Sequence, residues 1–291
     1  MIDQDELELC KSCKLPAEQL DSEKHCRKCG VLTLSVDAIR DFQVCELYYK
    51  YKYEEERHIP IRSRDLMIEK FENTLKKVAS FFFYKKQAGT VPSYTAILNR
   101  WEKLWFPKNM TAYDMAVQQH EAAHANLASY SNAAAASLER FHNEFADSQA
   151  VPIMIDEPYV VPIRNDLRIE GSLDLVLRYE DEYHIFKWVD KNKRKVDSLM
   201  LDIGAMRLAF EYRNEFPRRA TYWCYDLSTS NNPYFDIEQP TKADMNALIY
   251  WARGIADADV FVPRRSFTTY CKTCPFDKPC AEFSEWPEAV R

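Results

Sequence analysis

A chain of 291 residues that is 46% hydrophobic and 13% aromatic carries enough apolar surface for a packed core, which excludes a disordered linker or tail. A net charge of −6 excludes a surface that coats DNA as a whole, although "KNKRK" (191–195), Arg218–Arg219 and Arg264–Arg265 remain as solvated faces or as parts of a groove. With no apolar run of about 18 residues and an acidic start, "MIDQDELELC", the sequence predicts a soluble, intracellular (cytoplasmic) protein with no membrane partner.

The first segment, 1–33, is polar, and its few apolar residues cannot make a core, so it needs a staple. Cys10, Cys13, Cys26 and Cys29 are spaced C-x2-C-x12-C-x2-C, with Gly30 behind the second pair. Two residues between cysteines let both thiolates converge on one ion, and two such knuckles supply the four sulfurs of a tetrahedral zinc site. Bound Zn2+ would supply the folding energy that this zinc ribbon otherwise lacks. Disulfides are not expected in a reducing compartment.

Helical spacing follows over "SVDAIRDFQVCELYYKYKYEEE" and "RDLMIEKFENTLKKVASFFFYKK", broken near "HIPIRS", then over "SYTAILNRWEKLWF" and the alanine-rich stretch 111–147. Strands are predicted at "AVPIMIDEPYVVPI", "LRIEGSLDLVLRYE" and "EYHIFKWVD", the last two separated by a turn at Glu180–Asp181. A helix over 197–215, strands at "RRATYWCYDLS" and "PYFDIEQ", and a helix at "TKADMNALIYWARGIADA" complete the reading, with Cys224 as a buried strand thiol. This order predicts a mixed α/β protein: a helical part over 34–150 and a strand-containing core over 151–291, the two forming one unit.

Near the end, Cys271, Cys274 and Cys280 are spaced C-x2-C-x5-C, one ligand short of four. Cys45, in "FQVCELYYKYKY", is the obvious fourth, and a cluster so held would clamp the first helices onto the tail. Four thiolates suit an iron–sulfur cluster or zinc, and spacing alone does not choose between them.

A lone cysteine followed by aromatic and basic residues, with C-x2-C-x5-C at the far end, resembles the iron–sulfur branch of the RecB-like PD-(D/E)XK nucleases, to which the AddB nuclease domain and the CRISPR adaptation exonucleases belong. The resemblance covers roughly residues 38–283. It implies a restriction-endonuclease-like α/β core with a helical subdomain, and a [4Fe–4S] cluster on Cys45, Cys271, Cys274 and Cys280.

In that family a glycine-led strand ends in an aspartate, and the next strand carries D/E-x-K. The two carboxylates hold Mg2+ or Mn2+, which activates water, and the lysine aids the nucleophile or the transition state. "IEGSLDLVLR" matches the first strand and puts Asp174 in the metal-binding position. In "IFKWVD" the matching register puts Lys187 where the second carboxylate belongs and Val189 where the lysine belongs, on one strand face. A cation does not ligate a metal, and valine does not do the work of lysine. Where the family commonly has Q-x3-Y, "LDIGAMRLAFEYRNEF" offers Asp202 and Met206. These departures predict loss of catalysis and an ion pair between Asp174 and Lys187 where the metal would sit. A migrated site is the alternative, drawing on Glu170, four residues before Asp174, and on Lys191; Asp190 points to the opposite face in this register.

"HEAAH" (120–124) fits the zinc-protease pattern H-E-x-x-H, with Glu144 as a third ligand. It equally resembles the helical G-x3-H-E segment of RecB-like nucleases, with Ala116 in place of the glycine and His120 as the metal-contacting histidine. Two ordinary helix-surface histidines are the third reading.

The expected function is nucleic-acid binding, DNA above all, by an inactivated nuclease fold in replication, recombination or transcription, with Lys191, Lys193 and Arg194 on the phosphate backbone. The zinc ribbon would recruit a protein partner or DNA. The alternatives are an active metal-dependent DNA exonuclease using His120, Glu170, Asp174 and Lys191, and a protein-binding scaffold.

Overall fold

The computed structural model of the chain describes residues 31–57, 63–106, 127–189, 196–213, 220–229, 231–258, 261 and 274–276. The chain divides into two compact units, one of Met1–Pro60, Val160–Gly171 and Lys242–Arg291, the other of Ile61–Tyr159 and Ser172–Thr241.

In the first unit a short strand β1 (Leu32–Ser35) leads into helix α1 (Val36–Val44). Ser35 caps this helix, its Oγ accepting from the Ala38 N–H at 3.1 Å, and Asp37 in the first turn suits the helix dipole. The sequence predicts one helix over 35–56, but the chain leaves helical geometry at Cys45 (φ −162°) and restarts as α2 (Glu46–Tyr49), which widens into a π-helical turn over Lys50–Glu54. Phe42 of α1 packs edge-on against Tyr49, Phe261 and Trp251 of helix α7 (Lys242–Ala256), whereas Leu47 and Tyr51 pack on Phe276. β1 lies inside a span read as ribbon and helix; it pairs in parallel with the first residues of β3 (Leu167–Tyr179), from Leu32 opposite Leu167 to Ser35 opposite Glu170.

The second unit is layered. Helices α3 (Ser63–Gln87), α4 (Tyr94–Trp105) and α5 (Leu127–Phe145) pack through Phe82, Phe83, Trp101, Trp105, Phe141 and Phe145 onto one face of the sheet, where Leu175, Leu177, Phe186, Trp188 and Tyr225 meet them. Strand β2 (Val151–Arg164) pairs with β3, β3 pairs antiparallel with β4 (Glu182–Trp188), and β4 pairs in parallel with β5 (Ala220–Tyr225). Together the five strands form a mixed sheet in the order β1-β3-β4-β5, with β2 on β3. The other face of β4 and β5 is covered by α6 (Val196–Tyr212), whose Phe210 ring lies 5.7 Å from that of Tyr183. "LDLVL" of β3 is buried throughout instead of alternating. The protein is therefore α/β, as its sequence predicts. No helix among the described residues is long and apolar enough to cross a membrane.

The strand expected at "PYFDIEQ" is reduced to one bridge, Tyr234 with Tyr225. Proline at 233 and 240 removes ladder donors at both ends, and the Gln239 side-chain amide takes over, accepting from the Tyr222 N–H at 2.8 Å and donating to the Tyr222 carbonyl at 3.0 Å. Cys224 is fully buried in β5, as expected of an apolar strand thiol.

The turn after β5 is held to α5 by polar side chains. Glu144 accepts from the Tyr225 hydroxyl at 2.6 Å and from the Tyr234 hydroxyl, while Arg140 donates to the Thr229 carbonyl at 2.8 Å. Glu144→Ala strips a charged acceptor from two tyrosines at once and is expected to cost about 2 kcal/mol in urea unfolding, with Glu144→Gln recovering part of it.

Candidate functional site

The site is built by a turn. β3 and β4 are joined by Glu180 and Asp181 alone, Glu180 in the left-handed region at φ 51°, and the ladder runs from Tyr179 opposite Glu182 to Leu175 opposite Phe186. So short a loop fixes the register. Continuing it by one residue sets Asp174 opposite Lys187, on the face away from Phe186 and Trp188.

There the two side chains pair. The Lys187 Nζ lies 3.1 Å from Asp174 Oδ2 and donates to Oδ1 at 3.2 Å. The Trp188 backbone N–H donates to Oδ2 at 2.8 Å, and the Ser172 hydroxyl to Oδ1 at 3.4 Å. Asp174 is 7% exposed. A carboxylate this deep in a sheet is costly unless charge and hydrogen bonds replace its water, and here both oxygens are met from two sides. The ion pair that the sequence predicts between Asp174 and Lys187 is present.

Val189, at the expected lysine position, is buried; its N–H donates to the Tyr225 carbonyl at 3.0 Å, and it lines a small cleft with Leu75, Lys76, Trp188 and Leu227. Lys76 of α3 is the lysine in that lining.

Asp156 joins the site without having been read from the sequence. It sits within β2 with φ 52°, a conformation that aspartate tolerates better than most residues. Although the residue is exposed at the surface, desolvation of its carboxyl raises its pKa; a hydrogen bond from Ser80 and the charges of Lys187 and Lys76 oppose the rise, and Asp174 adds to it. Asp156 thus lies in the electrostatic field of the Asp174–Lys187 pair. The signal that was there to be read is "DEP", two charges and a proline interrupting an apolar strand, which marks an irregular strand. Tyr159, also on β2, is buried, and its pKa is raised by that burial and by the carboxylates of Asp202 and Asp174. Asp202, expected on the helix after the second strand, is buried on α6 in the same surroundings, and Met206 is buried one turn on.

Glu170 stands opposite Ser35 of β1 in the first unit, whereas Asp174 belongs to the second. His120, Asp190, Lys191, Lys193 and Arg194 lie outside the described residues, as do Cys10, Cys13, Cys26, Cys29, Cys271 and Cys280. Cys45 and Cys274, over two hundred residues apart in sequence, are both half-buried and pack on one cluster of Leu47, Tyr51 and Phe276. Two of the four thiols expected to share a cluster are thereby brought to one place, Cys45 at the break that opens α2. Among the described residues, no group of three or more histidine, cysteine or acidic side chains is arranged to hold a metal ion. Glu144, a possible third ligand for "HEAAH", is engaged by Tyr225 and Tyr234.

No protein-family model matches this sequence, and no curated protein matches it.

Removing one partner of the central pair leaves the other charged and buried. Lys187→Ala is expected to lower unfolding free energy by about 3 kcal/mol, whereas Asp174→Asn combined with Lys187→Met changes it by less than about 1 kcal/mol. Urea unfolding of the two variants beside the parent reads this difference directly.

Proposed function

We propose that this chain binds nucleic acid, DNA in the first instance, on a RecB-like PD-(D/E)XK fold that has lost its nuclease chemistry. The observation that carries the reading is the Lys187 ammonium at 3.1 Å from Asp174 Oδ2, in the position where the family's second metal-binding carboxylate belongs. A divalent ion at Asp174 would have to displace that ammonium and would meet a cation where it needs a ligand. The chain's residues at this place therefore do not fit Mg2+ or Mn2+, and no cleavage step is derived through either. What remains is an α/β body in which Lys187 neutralises Asp174.

The same reading assigns Lys191, Lys193 and Arg194, directly after β4, to the phosphate backbone. It assigns a [4Fe–4S] cluster to Cys45, Cys271, Cys274 and Cys280, supported by the shared packing of Cys45 and Cys274 on Phe276. Such a cluster would tie the helix after Cys45 to the tail. Zinc on Cys10, Cys13, Cys26 and Cys29 would fold the first segment as a ribbon that carries a protein or DNA contact. The protein would act inside the cell in replication, recombination or transcription.

Anaerobically purified protein, incubated with end-labelled single- and double-stranded DNA, tests the proposal. It is expected to shift the DNA and leave it uncut in Mg2+ or Mn2+. The affinity should fall steeply with salt, by roughly tenfold or more between 50 and 200 mM, as counterion release requires. Cys45→Ser, purified in parallel, is expected to lose most of its iron. Metal-dependent cutting that disappears in Asp174→Ala would establish the exonuclease instead, and salt-independent binding or none would favour the protein scaffold.

A further inference from the structure

We infer that the cavity between α6 and the start of β5 binds a free basic amino acid, a molecule with one carboxylate and an excess of positive charge. The cavity shares no residue with the Asp174–Lys187 pair, and the inference is independent of nucleic-acid binding.

The cavity measures about 380 Å3, within the size range of small-molecule sites. α6 contributes Arg207 and Glu211, one turn apart and so on one helix face. Thr221 and Tyr222 come from β5, and Glu182 from the head of β4. The lining is tied together from within. Arg207 donates through Nε to Glu211 Oε1 at 2.7 Å and through Nη1 to the Pro240 carbonyl, while the Gln239 side chain engages both backbone groups of Tyr222. A site held in this way is organised before its ligand arrives.

What these bonds leave over selects the ligand. Among the described residues, Arg207 Nη2, Glu211 Oε2 and the hydroxyls of Thr221 and Tyr222 have no hydrogen-bond partner. Tyr222 is only 5% exposed, and a phenol so deeply buried ordinarily has a partner. Burial raises its pKa, so the hydroxyl keeps its proton and is able to donate. A guanidinium nitrogen and a phenol together suit a carboxylate. Charge sets the second requirement. Arg207 is already matched by Glu211, which leaves the Glu182 carboxylate over. His184 Nε2 lies 3.9 Å from Glu182 Oε2, but burial lowers the His184 pKa and this imidazole is neutral at pH 7. The lining therefore favours a cation as well as a carboxylate. A basic amino acid has both; a diamine lacks the carboxylate, and a neutral amino acid lacks the second cationic group.

Calorimetric titration of the full chain with L-lysine and L-arginine tests the inference, with three comparison ligands. Cadaverine is lysine without its carboxylate, L-norleucine replaces the side-chain ammonium by a methyl group, and L-glutamate has the opposite charge. At least one basic amino acid is expected to bind, with cadaverine and L-norleucine each about tenfold weaker than L-lysine where lysine is the one bound, and L-glutamate weaker still. Glu182→Gln is expected to weaken the basic amino acid about tenfold, and Tyr222→Phe, which removes only the hydroxyl, about threefold. If Tyr222→Phe does not fold, Glu182→Gln at the exposed head of β4 decides alone. Where L-arginine alone binds, agmatine, which is arginine without its carboxylate, replaces cadaverine and is expected to be about tenfold weaker than L-arginine. No binding of either basic amino acid, a decarboxylated analogue that binds as well as its parent, or affinity unchanged in Glu182→Gln overturns the inference.

Discussion

An aspartate in the middle of a buried sheet is the constraint around which the second unit is arranged. Asp174 follows Leu173 and precedes Leu175, Val176 and Leu177, all fully buried, so water is not at hand to solvate it. Its charge is held by a lysine on the neighbouring strand and a backbone N–H one residue further along. Both partners are placed by one turn, Glu180–Asp181, because a slip of a single residue would send Lys187 into the apolar layer of Phe186 and Trp188. Register, burial and charge therefore specify one another here.

On the proposed reading, the same arrangement is what lets a nuclease-like fold hold Asp174 without a metal. In a working site two carboxylates repel, and the ion relieves the repulsion when it binds. In this chain the relief is covalently attached, so the sheet is complete as synthesised. The cost falls on chemistry. A lysine ammonium does not polarise a water molecule as a divalent ion does.

Much of this was legible in the sequence, for reasons that differ by element. β3 and β4 declare themselves by apolar runs around a two-residue charged turn, and once their register is set the Asp174–Lys187 pair follows without any knowledge of distant packing. β1 could not be read so: four residues, "LTLS", owe their strand conformation to a parallel partner more than a hundred residues away. The interruption at Cys45 escaped helical periodicity because apolar partners continue across it: Phe42 and Tyr49 meet Phe261, and Leu47 and Tyr51 meet Phe276. "PYFDIEQ" alternates like a strand, but its flanking prolines deny it a ladder. For Asp156 the sequence shows only the irregular strand that "DEP" marks: the desolvation and the charges of Asp174, Lys187 and Lys76 that act on it come from residues distant in sequence.

On this reading the Lys187 ammonium, and not a divalent ion, neutralises Asp174. Crystals of the parent protein soaked in Mn2+, with data collected at a wavelength where manganese scatters anomalously, test it most directly. The account predicts no manganese peak at Asp174 and a Lys187 Nζ that remains within hydrogen-bonding distance of both carboxylate oxygens. A manganese ion ligated by Asp174, with Lys187 turned away, would contradict it.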